Sequence, residues 1–201
     1  MDNKNDEAVS DLLQKVYNRT HQTDRIKLGD LVATADSGSF GLVILIFALL
    51  VLAPIPAVTS TVGFPLIFFS VQMIMGLDSL WMPKWLGNIS LKRKTVAFIM
   101  ERSARSLRKL EKFSRRRLLF MISSKSRQVL GMIIFLLSLS VMVPLPFTNL
   151  IPAIGIIIIA FGMLSKDGII IFLGIFIGAI GFFLTFSIVY FGKGVVTRFL
   201  F

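Results

Sequence analysis

Residues 41–76 and 131–166 align without a gap at an offset of ninety positions. Gly41-Leu42-Val43-Ile44 corresponds to Gly131-Met132-Ile133-Ile134, and Ala53-Pro54-Ile55-Pro56 to Val143-Pro144-Leu145-Pro146. A short polar patch follows each Pro-x-Pro, Thr59-Ser60-Thr61 in the first unit and Thr148-Asn149 in the second. A second apolar run then follows, 64–75 and 154–164. Prolines and polar groups inside apolar sequence are costly in a bilayer unless protein buries them or they line a cavity. A chain that places them twice, at matching positions, is predicted to build its working site there.

The rest of the chain fits that setting. Of its 201 residues 55% are hydrophobic, above the roughly 45–50% of ordinary soluble domains, and the excess sits in long runs. The reading is an all-α integral membrane protein. Cysteine is absent, so disulfides and thiolate chemistry are excluded. The single histidine, His21, lies in the polar N-terminal part and gives a zinc site or a His-based catalytic centre almost nothing to work with. Neither a metal nor a cofactor is expected.

The net charge of +11 is local. Residues 78–128 carry 14 of the 22 Lys and Arg against three acidic residues, whereas 1–40 carry five against seven. A basic loop between apolar spans is the signature of a cytoplasmic loop. No aromatic-basic motif accompanies it, so nucleic acid is not an expected partner.

Five segments follow. Residues 1–40 lack a signal-peptide pattern and read as cytoplasmic or interfacial helices. One helix carries Val9, Leu12, Leu13 and Val16 on one face. The other carries Leu28, Leu31, Val32 and Ala35, with Thr23 as cap and Gly38 as stop. Residues 41–77 are a first hairpin, a run over 41–53 stopped by Pro54 and Pro56 and a restart near Thr61 to Met75. Residues 129–166 are a second hairpin, broken by Pro144 and Pro146 and restarting at Ile151. Each half is shorter than the roughly 30 Å of hydrocarbon. The hairpins are therefore re-entrant, or else pairs of short tilted spans with proline in the outer turn; both return the chain to its starting side.

Residues 78–128 are a basic linker. Trp81 and Trp85, beside Lys84, read as an interfacial aromatic anchor. Residues 94–118 read as an amphipathic helix, with Arg102, Arg105, Lys109, Lys112 and Arg116 segregated from Val96, Ile99, Leu107 and Leu110 and held to anionic phospholipid headgroups. Residues 167–201 are a C-terminal transmembrane helix and tail. Gly174, Gly178 and Gly181 give that helix a small-residue face for close packing, within the protomer or in a homodimer.

These stretches resemble the bacterial ExoD family of exopolysaccharide synthesis membrane proteins. The likeness is carried by Leu28-Gly29-Asp30-Leu31, Pro54-Ile55-Pro56 with Thr59-Ser60-Thr61, Gly63-Phe64-Pro65-Leu66, Trp81-Met82-Pro83-Lys84-Trp85-Leu86, and Pro144-Leu145-Pro146-Phe147-Thr148-Asn149 with Pro152-Ala153. One departure is Ala57-Val58, where the family often shows Pro or Gly. The resemblance implies a multi-pass protein of the bacterial inner membrane, tied to exopolysaccharide production and its machinery. It supplies no catalytic residues.

Two functions compete. In the first, a small transporter-like or lipid-headgroup-handling protein brings Thr59, Ser60, Thr61, Thr148 and Asn149 together, adds the dipoles of the broken helices, and receives a polar or anionic headgroup. Residues 41–77 and 128–165 hold no Asp, Glu, Lys or Arg, which does not suit a proton relay. In the second, the chain is a non-transporting accessory or scaffold protein and the prolines only shape the fold. Enzyme activity is not expected. Ser60, Ser70, Ser138 and Ser140 have no base beside them and are expected to bond to backbone carbonyls or pack between helices.

Overall fold

Two prolines decide where the first helices stop and start. The computed structural model describes residues 25–27, 29, 40–52, 56–77, 80–92, 94, 108, 118, 123–142 and 149–200. Helix α1, Phe40–Val51, is built of Gly, Phe, Leu, Ile, Val and Ala and ends ahead of Pro54, because the residue before a proline is driven from helical geometry. Helix α2, Pro56–Ile74, begins with Pro56 itself. Proline suits that position, since the N–H it lacks would have no intrahelical partner. The restart expected near Thr61 thus comes earlier, and Thr59, Ser60 and Thr61 lie in the first two turns of α2 instead of in a broken loop. Pro65 lies inside α2, where it removes one ladder bond.

The chain then turns back. Helix α3, Lys84–Gly87, is one turn long. Helices α4, Ser124–Met142, α5, Leu150–Ser165, and α6, Gly168–Leu200, follow among the described residues. The architecture is helical, as expected, with one addition. Strands β1, Arg25–Lys27, and β2, Ser90–Lys92, form a two-stranded antiparallel ribbon, with Arg25 opposite Lys92 and Lys27 opposite Ser90. Of the helix expected downstream of Thr23, Gly29 is helical, and Leu28, Leu31, Val32 and Ala35 lie outside the described residues; Arg25–Lys27, just after the expected cap, instead form a strand. Its hydrogen-bond partners come from a segment far along the chain, which local propensity cannot foresee. Gly29 lies against Gly87, where a methyl on Gly29 would meet the Gly87 carbonyl oxygen at 3.2 Å.

Helices α1 and α2 are antiparallel neighbours, as are α4 and α5. Across the hairpins α1 packs on α5 and α2 on α4. Gly41 lies against Ala160, Met163 and Leu164, and Gly131 lies against Ser70, Met73 and Ile74. The two contact sets correspond residue by residue at the offset of ninety. The helix ends correspond too. Gly76 and Lys166 both take left-handed backbone, φ 72° and 55°, and each is followed by an N–H reaching back five residues, Leu77 to the Gln72 carbonyl at 3.2 Å and Asp167 to the Gly162 carbonyl at 2.9 Å. This is the Schellman closure of a helix C-terminus.

These contacts fix polarity. The start of α1 lies by the end of α5, and the end of α2 by the start of α4. The start of α2 lies by the end of α4, where Gly63 meets Met142 and Val141. Both turns between paired helices therefore fall at one end of the four-helix arrangement, and the linker ends fall at the other. Arg127 sits over the Phe40 ring, 6.0 Å from its centroid, at the linker end.

Every residue of α1 is buried. Helix α6 lies outside, against α5 and α4. Among the described residues, two helices are long and apolar enough to cross a membrane, α4 over Lys125–Met142 and α6 over Gly168–Tyr190. Their outer faces stay apolar and exposed: Met132, Leu136 and Leu139 on α4, and Phe172, Phe176 and Phe183 on α6. The glycine face of α6 is filled within the chain. Gly174 meets Ile159 and the Gly155 carbonyl oxygen, Gly178 meets Leu137, and Gly181 meets Pro152.

Candidate functional site

Asn149 is the N-terminal flanking residue of α5, half-buried, with φ −70° and ψ −18°, and its side chain makes no capping bond to the helix. The Ala153 N–H closes the first turn onto the Asn149 carbonyl oxygen at 3.2 Å, and Pro152 brings no N–H of its own. Thr59, Ser60 and Thr61 lie at the start of α2, at the same end of the bundle. Pro56 opens that helix. Pro54, Pro144, Pro146 and Thr148 lie outside the described residues, as do Arg102, Arg105, Lys109, Lys112 and Arg116 of the expected lipid-binding helix and residues 1–24 of the N-terminal segment.

The hydroxyls of the described helices divide into two kinds. Ser70 donates to the Ile67 carbonyl at 2.7 Å, Ser138 to Ile134 at 2.7 Å, Ser165 to Phe161 at 2.8 Å and Thr185 to Gly181 at 3.0 Å. These are the back-bonds that satisfy hydroxyls in helices. Ser140 takes the other course expected of these serines and is packed away without a back-bond: it is 5% exposed and its hydroxyl has no hydrogen-bond partner. Thr185 carried no signal in the sequence, since it sits in a long apolar run with no motif around it. Among the described residues no three of His, Cys, Asp and Glu lie together.

The aromatic segment is held from outside. The Gln72 side chain donates to the Trp81 carbonyl at 2.7 Å and accepts the Trp81 N–H at 2.8 Å. Phe68 contacts Trp81, ring centroids 5.8 Å apart, and Phe64 contacts Trp85 at 5.7 Å. Phe64, Phe68 and Gln72 are four apart, on one face of α2. The segment thus runs back along α2, with Trp81 62% and Trp85 56% exposed. The sequence marked both tryptophans, but nothing in it tied them to a glutamine nine residues earlier. At the start of α6, Asp167 accepts the N–H of Ile169 at 3.0 Å and that of Ile170 at 3.4 Å, an N-terminal cap.

Compared with known proteins, the chain matches the family model "Exopolysaccharide synthesis, ExoD" over residues 9–187. It is 28% identical over 185 residues to the uncharacterized protein slr1875 of Synechocystis sp., covering 90% of this chain and 87% of that protein. No solved structure matches.

Proposed function

This chain belongs to the ExoD family of exopolysaccharide synthesis proteins, and on that premise we propose that it is a multi-pass inner-membrane protein whose paired turns handle a polar headgroup or solute in exopolysaccharide synthesis or export. The observation that carries the reading is the shared end. Two units with matching contacts bring both turns, and the starts of α2 and α5, to one end of the bundle. The starts of helices carry the positive ends of their dipoles, and Thr59, Ser60, Thr61, Thr148 and Asn149 are the uncharged polar groups of those segments.

Helix α6 supplies a ruler for depth. It is uncharged from Gly168 to Gly192, so its apolar middle falls near residue 180. Gly181, beside that middle, lies against Pro152. Asn149, three residues before Pro152, is then about 6 Å past the middle, at about 1.5 Å per residue. The hydrocarbon extends about 15 Å from its midplane. This supports re-entrant hairpins whose turns end inside the bilayer, as parallel repeats entering from the side of the basic linker. The exposed apolar faces of α4 and α6 support lipid contact, since patches of that kind are rare on soluble monomers. The linker helix, with Arg102, Arg105, Lys109, Lys112 and Arg116, would hold anionic headgroups on the cytoplasmic side.

The test is Asn149→Ala. The bond that closes the first turn of α5 uses the Asn149 backbone carbonyl, which alanine keeps, so the variant should accumulate in the membrane and lose exopolysaccharide output. Full output from an Asn149→Ala strain would remove the site.

A further inference from the structure

The correspondence between the units continues past the ends of their hairpins. At the offset of ninety Gln72 matches Gly162 and Trp81 matches Ile171. The Gln72 side chain holds the backbone N–H and carbonyl of Trp81. Gly162 lies against Ile171, whose nitrogen a methyl on Gly162 would meet at 2.8 Å. In each unit the chain that leaves the hairpin therefore runs back along the hairpin's second helix, starting from the same contact. In the second unit this returning element is α6. In the first it is the aromatic segment, which follows α2 from Gln72 past Phe68 to Phe64. Gly87 then lies against Gly29 and the chain enters the ribbon of β1 and β2.

The level of this segment follows from contacts across the bundle. Gly63 meets Val141 and Met142, four and five residues past Leu137, and Leu137 meets Gly178. Helices α4 and α6 run parallel, so Phe64 stands beside the apolar middle of α6, near residue 180. The Trp85 ring rests on Phe64, and the Trp81 ring rests on Phe68, one turn of α2 and about 6 Å nearer the linker end. Both tryptophans read as a headgroup-level anchor in the sequence; these contacts instead carry Trp85 to the depth of the bilayer middle, about 15 Å below the hydrocarbon edge.

The outer surface there is apolar. Phe64, Val71 and Met75 are exposed on one face of α2, as are the rings of Trp81 and Trp85. Residues 41–77 hold no Asp, Glu, Lys or Arg. The counterpart α6 likewise turns Phe172, Phe176 and Phe183 outward. Lys84 is exposed between the two rings, and a lysine stem can lie on apolar surface while its ammonium reaches toward the headgroups. Arg25 and Lys27, also exposed, precede Gly29 by four and two residues. At about 3.3 Å per residue a strand from Gly29 to Arg25 covers about 13 Å, enough to return the ribbon's charges to the headgroup side.

We propose that residues 80–92 are a wedge in one leaflet, the leaflet at the linker end of the bundle, and that the partner of its exposed face is lipid hydrocarbon. Trp85 lies among the inner acyl segments and Trp81 nearer the headgroups. The wedge takes up area in that leaflet alone, whereas α6 crosses both. The proposal rests on the reading of α6 as a membrane span.

Trp81 and Trp85 are the two tryptophans of the chain, so their emission reports on the wedge directly. The full chain is reconstituted in vesicles of phosphatidylcholine and phosphatidylglycerol, with the phosphatidylcholine brominated near either the carbonyl end or the methyl end of its chains. Wild type should be quenched at both positions. In Trp81→Phe the remaining Trp85 should lose more emission to methyl-end bromines, and in Trp85→Phe the remaining Trp81 should lose more to carbonyl-end bromines. Quenching of wild type by carbonyl-end bromines alone would leave both rings at the headgroups and overturn the wedge. Quenching of Trp85 by iodide in the water, with none by bromine, would place the segment in solvent and overturn it too. Protection of Trp85 from both reagents would make its cover a second copy of the chain and overturn the lipid. Phe176→Trp, in a chain with both native tryptophans changed to phenylalanine, reads α6 itself. If bromines quench it while Trp85 stays bright, only the wedge falls; if they do not, the membrane reading falls and the wedge with it.

Discussion

Gly155→Ala tests one of the closest helix contacts among the described residues. A methyl at Gly155 would lie 2.5 Å from the Gly178 Cα, 2.7 Å from its nitrogen and 3.1 Å from the Gly174 carbonyl oxygen, where ordinary contact begins near 3.4 Å. All three are backbone atoms, so no side chain can rotate away, and α5 and α6 must separate by about 1 Å. A gap of that size forfeits about a quarter to a half of each contact along the interface, and overpacking of this kind costs about 1–3 kcal/mol. Alanine returns up to about 1 kcal/mol of helix propensity. The net loss is about 1–2 kcal/mol, a fall of about 2–8 °C in Tm for a chain of this size. Gly41→Ala is the internal control. Its methyl would meet the Leu164 side chain at 3.2 Å and the Ala160 carbonyl oxygen at 3.3 Å, shortfalls of tenths of an ångström that the propensity gain offsets. Thermal unfolding of the two purified variants in one detergent gives the comparison. A Gly155→Ala protein as stable as wild type, or no less stable than Gly41→Ala, would refute the close antiparallel register of α5 and α6.

Two further variants probe the ends of α2 and α5. Lys166 holds φ 55°, a conformation that costs a non-glycine residue about 1–2 kcal/mol; Lys166→Gly should raise Tm by about 2–4 °C, and a fall would mean that the Lys166 side chain matters more than its backbone. Gln72→Ala leaves the Trp81 N–H and carbonyl without their partner, at about 1–3 kcal/mol; it should speed proteolysis near 80–92 and shift tryptophan emission, and unchanged cleavage would show that the clamp does not hold the segment.

The sequence by itself determined the helical class and the stops of α1 and α4 ahead of Pro54 and Pro144. These follow from short-range physics, since proline forbids helix ahead of it and long apolar runs must be buried in protein or lipid. It also marked Asn149, because a polar residue behind Pro-x-Pro in an apolar unit has few structural reasons to be there. Contact between the units, α1 on α5 and α2 on α4, was decided by tertiary structure, because apolar helices carry no partner code and close approach depends on which glycine meets which backbone. The same holds for Arg25–Lys27, a strand only because Ser90–Lys92 lies beside it. Ser140 shows the limit most clearly. Ser138 and Ser140 are two residues apart in one helix, with nothing in their neighbourhood to separate them, yet only one finds a carbonyl. A hydroxyl's partner is set by rotamer and packing, which exist only once the helices have met.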